Sequence, residues 1–125
     1  MLKNLTFCVL MITAGSVTAE EWNLRDTDIP LTEPQVSALT AGRTLTFFDD
    51  GQSKYSVGGA YSYTYADDGG MAFGRFTIKK DGRVCIDFTN GRRRCDLYVK
   101  SGGLLIMITE RGDRFPVRLH LEVRP

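Results

Sequence analysis

From Arg43 onward, short turn signals interrupt the chain at regular intervals and leave no stretch long enough for a sizeable helix. The signals are Asp49-Asp50-Gly51, Gly58-Gly59, Asp67-Asp68-Gly69-Gly70, Asp81-Gly82, Asn90-Gly91, Ser101-Gly102-Gly103 and Arg111-Gly112-Asp113. Gly, Asn and Asp adopt the positive φ values that tight hairpin turns require. Between these signals lie eight apolar segments with period-two patterning, at 44–48, 54–57, 61–66, 71–79, 83–88, 92–99, 104–109 and 114–122. Connections this short pair sequential strands antiparallel. The expected fold class is therefore all-β with one short N-terminal helix: an up-and-down meander of about eight strands, curled into a small barrel or a strongly twisted sheet.

Three segments carry more detail. In 114–122, Phe115, Val117, Leu119 and Leu121 alternate with polar residues, so one face is core and the other faces water. Pro116 cannot donate to a ladder, which predicts an edge strand or a gap in pairing. In 71–79, Met71 and Phe73 share one parity and Phe76 and Ile78 the other; a bulge at Gly74-Arg75 would restore a single apolar face. Segment 104–109 is apolar on both faces, and the helix is a candidate cover for the second one.

The N-terminus divides in two. Residues 1–19 have the form of a signal peptide: Lys3 is followed by the apolar run Leu5 to Ala14, and Val17-Thr18-Ala19 offers small residues for cleavage after Ala19. The run is shorter than the ~20 residues that span a bilayer, so no stable membrane span is expected after cleavage. Residues 20–42 form a polar N-terminal segment ending in the helix. Thr32 and Gln35 make a capping box, Pro34 lies in the first turn, Leu31 and Val36 occupy the staple positions, and Gly42 can end the helix. This predicts a helix over 33–41, followed by the β-meander over 43–125.

The whole chain has a formal charge of +1, from 16 Lys and Arg against 15 Asp and Glu, and cleavage removes Lys3. A neutral mature chain gives no electrostatic case for nucleic acid. Cleavage also removes Cys8. In the oxidising compartment that export implies, Cys85 and Cys95 should pair. If they face each other in a hairpin, Phe88 opposes Arg92 and the loop is Thr89-Asn90-Gly91. This register sets Val84, Ile86 and Phe88 on the face of Arg92, Arg94 and Asp96, a mismatch that a further bulge would absorb. A two-residue Asn90-Gly91 loop would align the apolar faces better but point the cysteines apart.

The segments Leu39-Thr40-Ala41-Gly42-Arg43-Thr44, Asp50-Gly51, Gly74-Arg75-Phe76-Thr77-Ile78, Gly82-Arg83-Val84-Cys85 and Arg94-Cys95 resemble a class of short secreted proteins of Gram-negative bacteria. These have a signal peptide, a β-rich body and two cysteines, and their function is unknown. The chain departs from them at Phe76, where many have Trp. The resemblance implies a periplasmic or secreted β-domain and transfers no active site.

Catalytic chemistry finds little support. His120, the only histidine, lies on the polar face of its strand, a poor base for a serine or cysteine nucleophile. The spacing of Cys85, Cys95 and His120 matches no common zinc pattern. The aspartates of 49–50 and 67–68 lack calcium-loop spacing and are accounted for by turn chemistry. Arg111-Gly112-Asp113 spells an adhesion tripeptide but stands where a turn is needed. No cofactor is expected. Arg92, Arg93 and Arg94 could meet an anionic partner or simply form a solvated strand end, with Asp87 opposite Arg93. Tyr55, Tyr61, Tyr63 and Tyr65 could form an exposed aromatic row for a sugar or a protein, or pair across the sheet as ordinary strand residues. The sequence thus predicts a non-enzymatic extracytoplasmic binding domain, with an unknown protein or glycan as partner. The alternatives are a lipocalin-like barrel for a small ligand and a carboxylate-dependent hydrolase.

Overall fold

The computed structural model describes Thr18 and residues 22–122, with only the backbone described over 119–122. Apart from Thr18, the signal-peptide reading of residues 1–19 lies outside the described residues. The elements are β1 (Asp28–Pro30), α1 (Glu33–Thr40), β2 (Arg43–Phe47), β3 (Gln52–Tyr55), β4 (Ala60–Thr64), β5 (Met71–Ile78), β6 (Val84–Phe88), β7 (Arg93–Ser101), β8 (Leu104–Thr109) and β9 (Arg114–Glu122). All eight expected strands form, and β1 is a ninth, within the polar N-terminal segment, for which no strand was expected.

Each strand from β2 to β9 pairs antiparallel with the next, and β9 returns to pair with β2. The meander is thus a closed eight-stranded barrel. Closure removes the exposed edges that an open sheet would present. β1 is an addition to it. β6 pairs with β7 only as far as Asp96, and β1 takes over that edge from Val99 to Ser101.

The helix closes one end. Its capping box is complete: Thr32 N–H donates to Gln35 Oε1 at 2.9 Å, and Gln35 N–H donates to Thr32 Oγ1 at 3.4 Å. Leu31 and Val36 are both buried and join the barrel's core. Gly42 follows at φ +75°, a conformation that ends the helix and turns the chain into β2. The helix packs chiefly against β2 and β5. The second apolar face of β8 is covered instead by the N-terminal segment, where Trp22 and Leu24 lie over Leu97, Val99, Ile106 and Ile108 on the outside of the barrel.

Two expected bulges are absent, and one forms elsewhere. β5 pairs without interruption on both sides. Phe76 and Ile78 point inward, whereas Met71 and Phe73 face outward and stay 52% and 54% exposed. Gly74 permits this regular pairing: a Cβ there would sit 2.5 Å from the backbone oxygen of Asp87. The β6–β7 ladder is equally regular, because the barrel admits Arg94 and Asp96 as an internal ion pair in place of a register shift. A bulge does occur in β9, where Thr46 and Phe47 oppose Leu119 and Val117 and leave Arg118 unmatched. β9 is not an edge strand, but its pairing with β8 runs only over residues 114–116 and stops at Pro116. Phe115 and Val117 enter the core as expected. The side chains of Leu119, His120 and Leu121 lie outside the described residues, and with them the surface reading of His120.

Candidate functional site

The β6–β7 hairpin sets the geometry of the barrel's other end. Cys85 and Cys95 face each other directly and are joined by a disulfide. Phe88 N–H donates to Arg92 O at 2.8 Å, and Gly91 sits at φ +85°, so the loop is the three-residue Thr89-Asn90-Gly91 turn. With the cysteines outside, Val84, Ile86 and Phe88 point into the barrel, and so do Arg94, Asp96 and Tyr98.

The tyrosine row follows the same logic. Tyr55, Tyr61 and Tyr63 point into the barrel, so the exposed row does not exist. Tyr55 and Tyr61 are buried, Tyr63 is half-buried, and Tyr65 emerges at the rim 52% exposed. Deep in the core, the hydroxyls of Tyr55 and Tyr98 hydrogen-bond at 2.5 Å. Burial pushes both phenols well above their ordinary range. One step higher, the Tyr61 hydroxyl hydrogen-bonds Ser53 Oγ at 2.9 Å and accepts from Arg94 Nη2 at 3.4 Å.

Arg94 joins this interior to the open end. Its Nε and Nη2 donate to Asp96 Oδ2 at 3.2 and 3.0 Å, and its guanidinium lies 5.6 Å from the centre of the Phe88 ring. Burial opposes the Arg94 charge, but Asp96 and Tyr61 more than offset it, and its pKa is raised. Asp96 is fully enclosed; burial raises its carboxyl pKa and Arg94 offsets only part of the rise. Tyr55, Tyr61, Tyr98, Leu45 and Ile86 fill the barrel's middle. These large side chains thus lie where the axial pocket of a lipocalin-like barrel would be.

Space opens at the end opposite the helix. A cavity of about 780 Å³ is walled there by the β2–β3, β4–β5, β6–β7 and β8–β9 connections and the adjoining strand ends. That volume falls in the range of small-molecule sites, about 300–1,000 Å³. Of the residues singled out from sequence, Tyr63, Tyr65, Arg92, Arg93 and Arg94 line it; Tyr55 and Tyr61 do not. Phe88, Phe115, Thr109, Arg111 and Asp113 also line it. Arg93 turns toward Asp87 at 3.3 Å, both groups being exposed, as the cross-strand pairing predicts. The Tyr63 phenol is pushed up to about 12, chiefly by desolvation and then by Asp49. Its hydroxyl lies over Gly51, where a Cβ would approach within 2.1 Å.

The metal readings lose their ligands. Cys85 and Cys95 are bonded to each other. Asp49 Oδ1 accepts from Gly51 N–H at 2.9 Å, and Asp50 pairs with Arg118 at 2.6 Å. Among the described residues, no group of three or more His, Cys, Asp or Glu side chains gathers as a metal site. Nor is any helix among them long and apolar enough to cross a membrane. Arg111-Gly112-Asp113 forms the β8–β9 turn, closed by Gly112 N–H donating to Thr109 O at 2.8 Å.

Sequence reasoning missed Phe88, Thr109 and Phe115 as wall residues and Asp96 as the partner of Arg94. Asp96 was legible in part, since Arg94, Asp96 and Tyr98 share a parity opposite to Cys95. No protein-family profile, curated protein or solved structure matches this chain.

Proposed function

We propose that this chain is an exported, non-enzymatic binding domain of the periplasm or cell exterior, and that the open barrel mouth is its binding surface. One observation carries the reading: aromatic side chains from the strand ends and charged side chains from three separate turns converge on an open cavity at one end of the barrel, while large buried side chains occupy its middle. A disulfide-linked hairpin suits an oxidising compartment. The resemblance to small secreted two-cysteine proteins of Gram-negative bacteria fits the same location.

Two measurements test it. Cell fractionation with mass determination should find the protein outside the cytoplasm, starting at Glu20. A fragment screen followed by amide NMR should place perturbations at Tyr63, Tyr65, Arg92 and Arg111. Binding confined to the outer faces of β4 and β5 would remove the mouth from consideration. Turnover of a substrate, abolished by Asp113→Asn or by Glu110→Gln at a second carboxylate of the cavity wall, would make the protein an enzyme instead.

A further inference from the structure

Resting on that reading of the mouth, we propose that its ligand is a neutral carbohydrate. Charge balance is the first argument. Arg93 and Arg94 are engaged by Asp87 and Asp96. Among the described residues, no acid lies within ion-pair distance of the Arg92 or Arg111 side chains, and no cation lies within that distance of Asp49 or Asp113. The wall, to which Glu110 also contributes, therefore offers guanidinium donors and carboxylate acceptors that stand in no ion pair. A polyanion would meet repulsion as well as attraction there. A purely apolar ligand would desolvate these groups without replacing their hydrogen bonds.

The second argument is the hydroxyl of Thr109, which is buried in the wall without a hydrogen-bond partner. It can donate and accept, and so can every sugar hydroxyl. Vicinal hydroxyls can bridge a carboxylate and a guanidinium at once. The third argument is aromatic. Tyr63 and Tyr65 meet edge-to-face with centroids 4.9 Å apart, and Tyr65 stays half exposed at the rim. A ring presented in this way can cover the C–H face of a pyranose, which combines apolar faces with a polar edge.

The exported protein, probed on a printed array of neutral oligosaccharides with calorimetry on each hit, should bind at least one. Tyr65→Ala should weaken that binding about three- to tenfold, and Tyr65→Trp should retain it. Arg111→Gln and Asp113→Asn should each weaken it too, whereas Phe73→Ser on the outer wall should leave it unchanged. Trp22 emission confirms that each variant is folded. Heparin oligosaccharide and laurate serve as polyanionic and apolar probes. If either binds in a Tyr65-dependent manner while the array stays blank, the carbohydrate assignment is overturned and the mouth remains the binding surface. A blank across all three probes also overturns the assignment. Sugar binding indifferent to Tyr65→Ala, Arg111→Gln and Asp113→Asn would overturn both readings.

Discussion

At the scale of single residues, buried polar groups decide more than apolar ones. Tyr55 and Tyr98 lie fully buried with their hydroxyls joined. Tyr98→Phe leaves the Tyr55 hydroxyl without that partner and should cost about 1–3 kcal/mol. Adding Tyr55→Phe removes the orphan, so the double variant should lose clearly less than the sum of the singles in urea unfolding. Two carboxylates pull in opposite senses with pH. Asp96, raised by burial, binds its proton more tightly folded than unfolded; its contribution favours folding at low pH and is lost as pH rises through that raised value. Asp28 is held well below the usual carboxylate range, chiefly by hydrogen bonds from Arg114. Its contribution is present above the unfolded value of about 3.9 and is lost as pH falls below it.

Between elements, two fasteners fix parts of the chain that pairing alone holds weakly. The first is that Asp28–Arg114 pair, which ties the N-terminal segment to β9 through two hydrogen bonds of 2.7 Å. β1 adds only three residues to β7, so the ion pair and the burial of Trp22 carry most of the attachment. Removing one partner of an enclosed pair is costly. Arg114→Ala should lose about 2–4 kcal/mol near neutral pH and less at pH 3, where the variant, lacking the guanidinium that holds the wild-type carboxylate ionised, can protonate Asp28 and so remove the uncompensated charge. Because Trp22 is the chain's only tryptophan, its emission should shift to the red in that variant. The second fastener is the disulfide, which closes a ring over residues 85–95. Replacing both cysteines with serine should cost about 2–3 kcal/mol. The fold should survive, since β6 and β7 stay paired on both sides by β5 and by β8. Amide exchange should quicken first in the β6–β7 hairpin.

For the whole molecule, the barrel is closed by the pairing of β9 with β2, strands far apart in the chain. Ending the chain at residue 113 would leave β2 without its second neighbour, expose its edge and uncover the core beside Phe47 and Leu45. Such a protein should aggregate on expression. The mouth behaves differently. Arg92 and Tyr65 are exposed there, so Arg92→Ala and Tyr65→Ala should each shift stability by no more than about 0.5 kcal/mol. Their thermal midpoints should match the wild type. A conspicuous set of side chains that stability does not need is what a binding surface requires.

The eight strands of the barrel, the capped helix and the three-residue turn of the cysteine hairpin were determined by the sequence itself, because turn chemistry and period-two alternation are local properties; the ninth strand β1 and the limits of β3, at 52–55 in place of 54–57, were not. The expected bulges at Gly74-Arg75 and beside Arg94 rested on treating polar and apolar side chains as belonging to opposite faces. Tertiary structure decided otherwise: a closed barrel gives two inward-facing charges a partner and a shield, and lets Met71 and Phe73 remain outside. Which end is plugged, that Trp22 covers β8, and that Tyr63 and Tyr65 alone of the tyrosine row reach the mouth depend on closure across distant strands. No local pattern encodes that geometry, since it arises only when β9 meets β2.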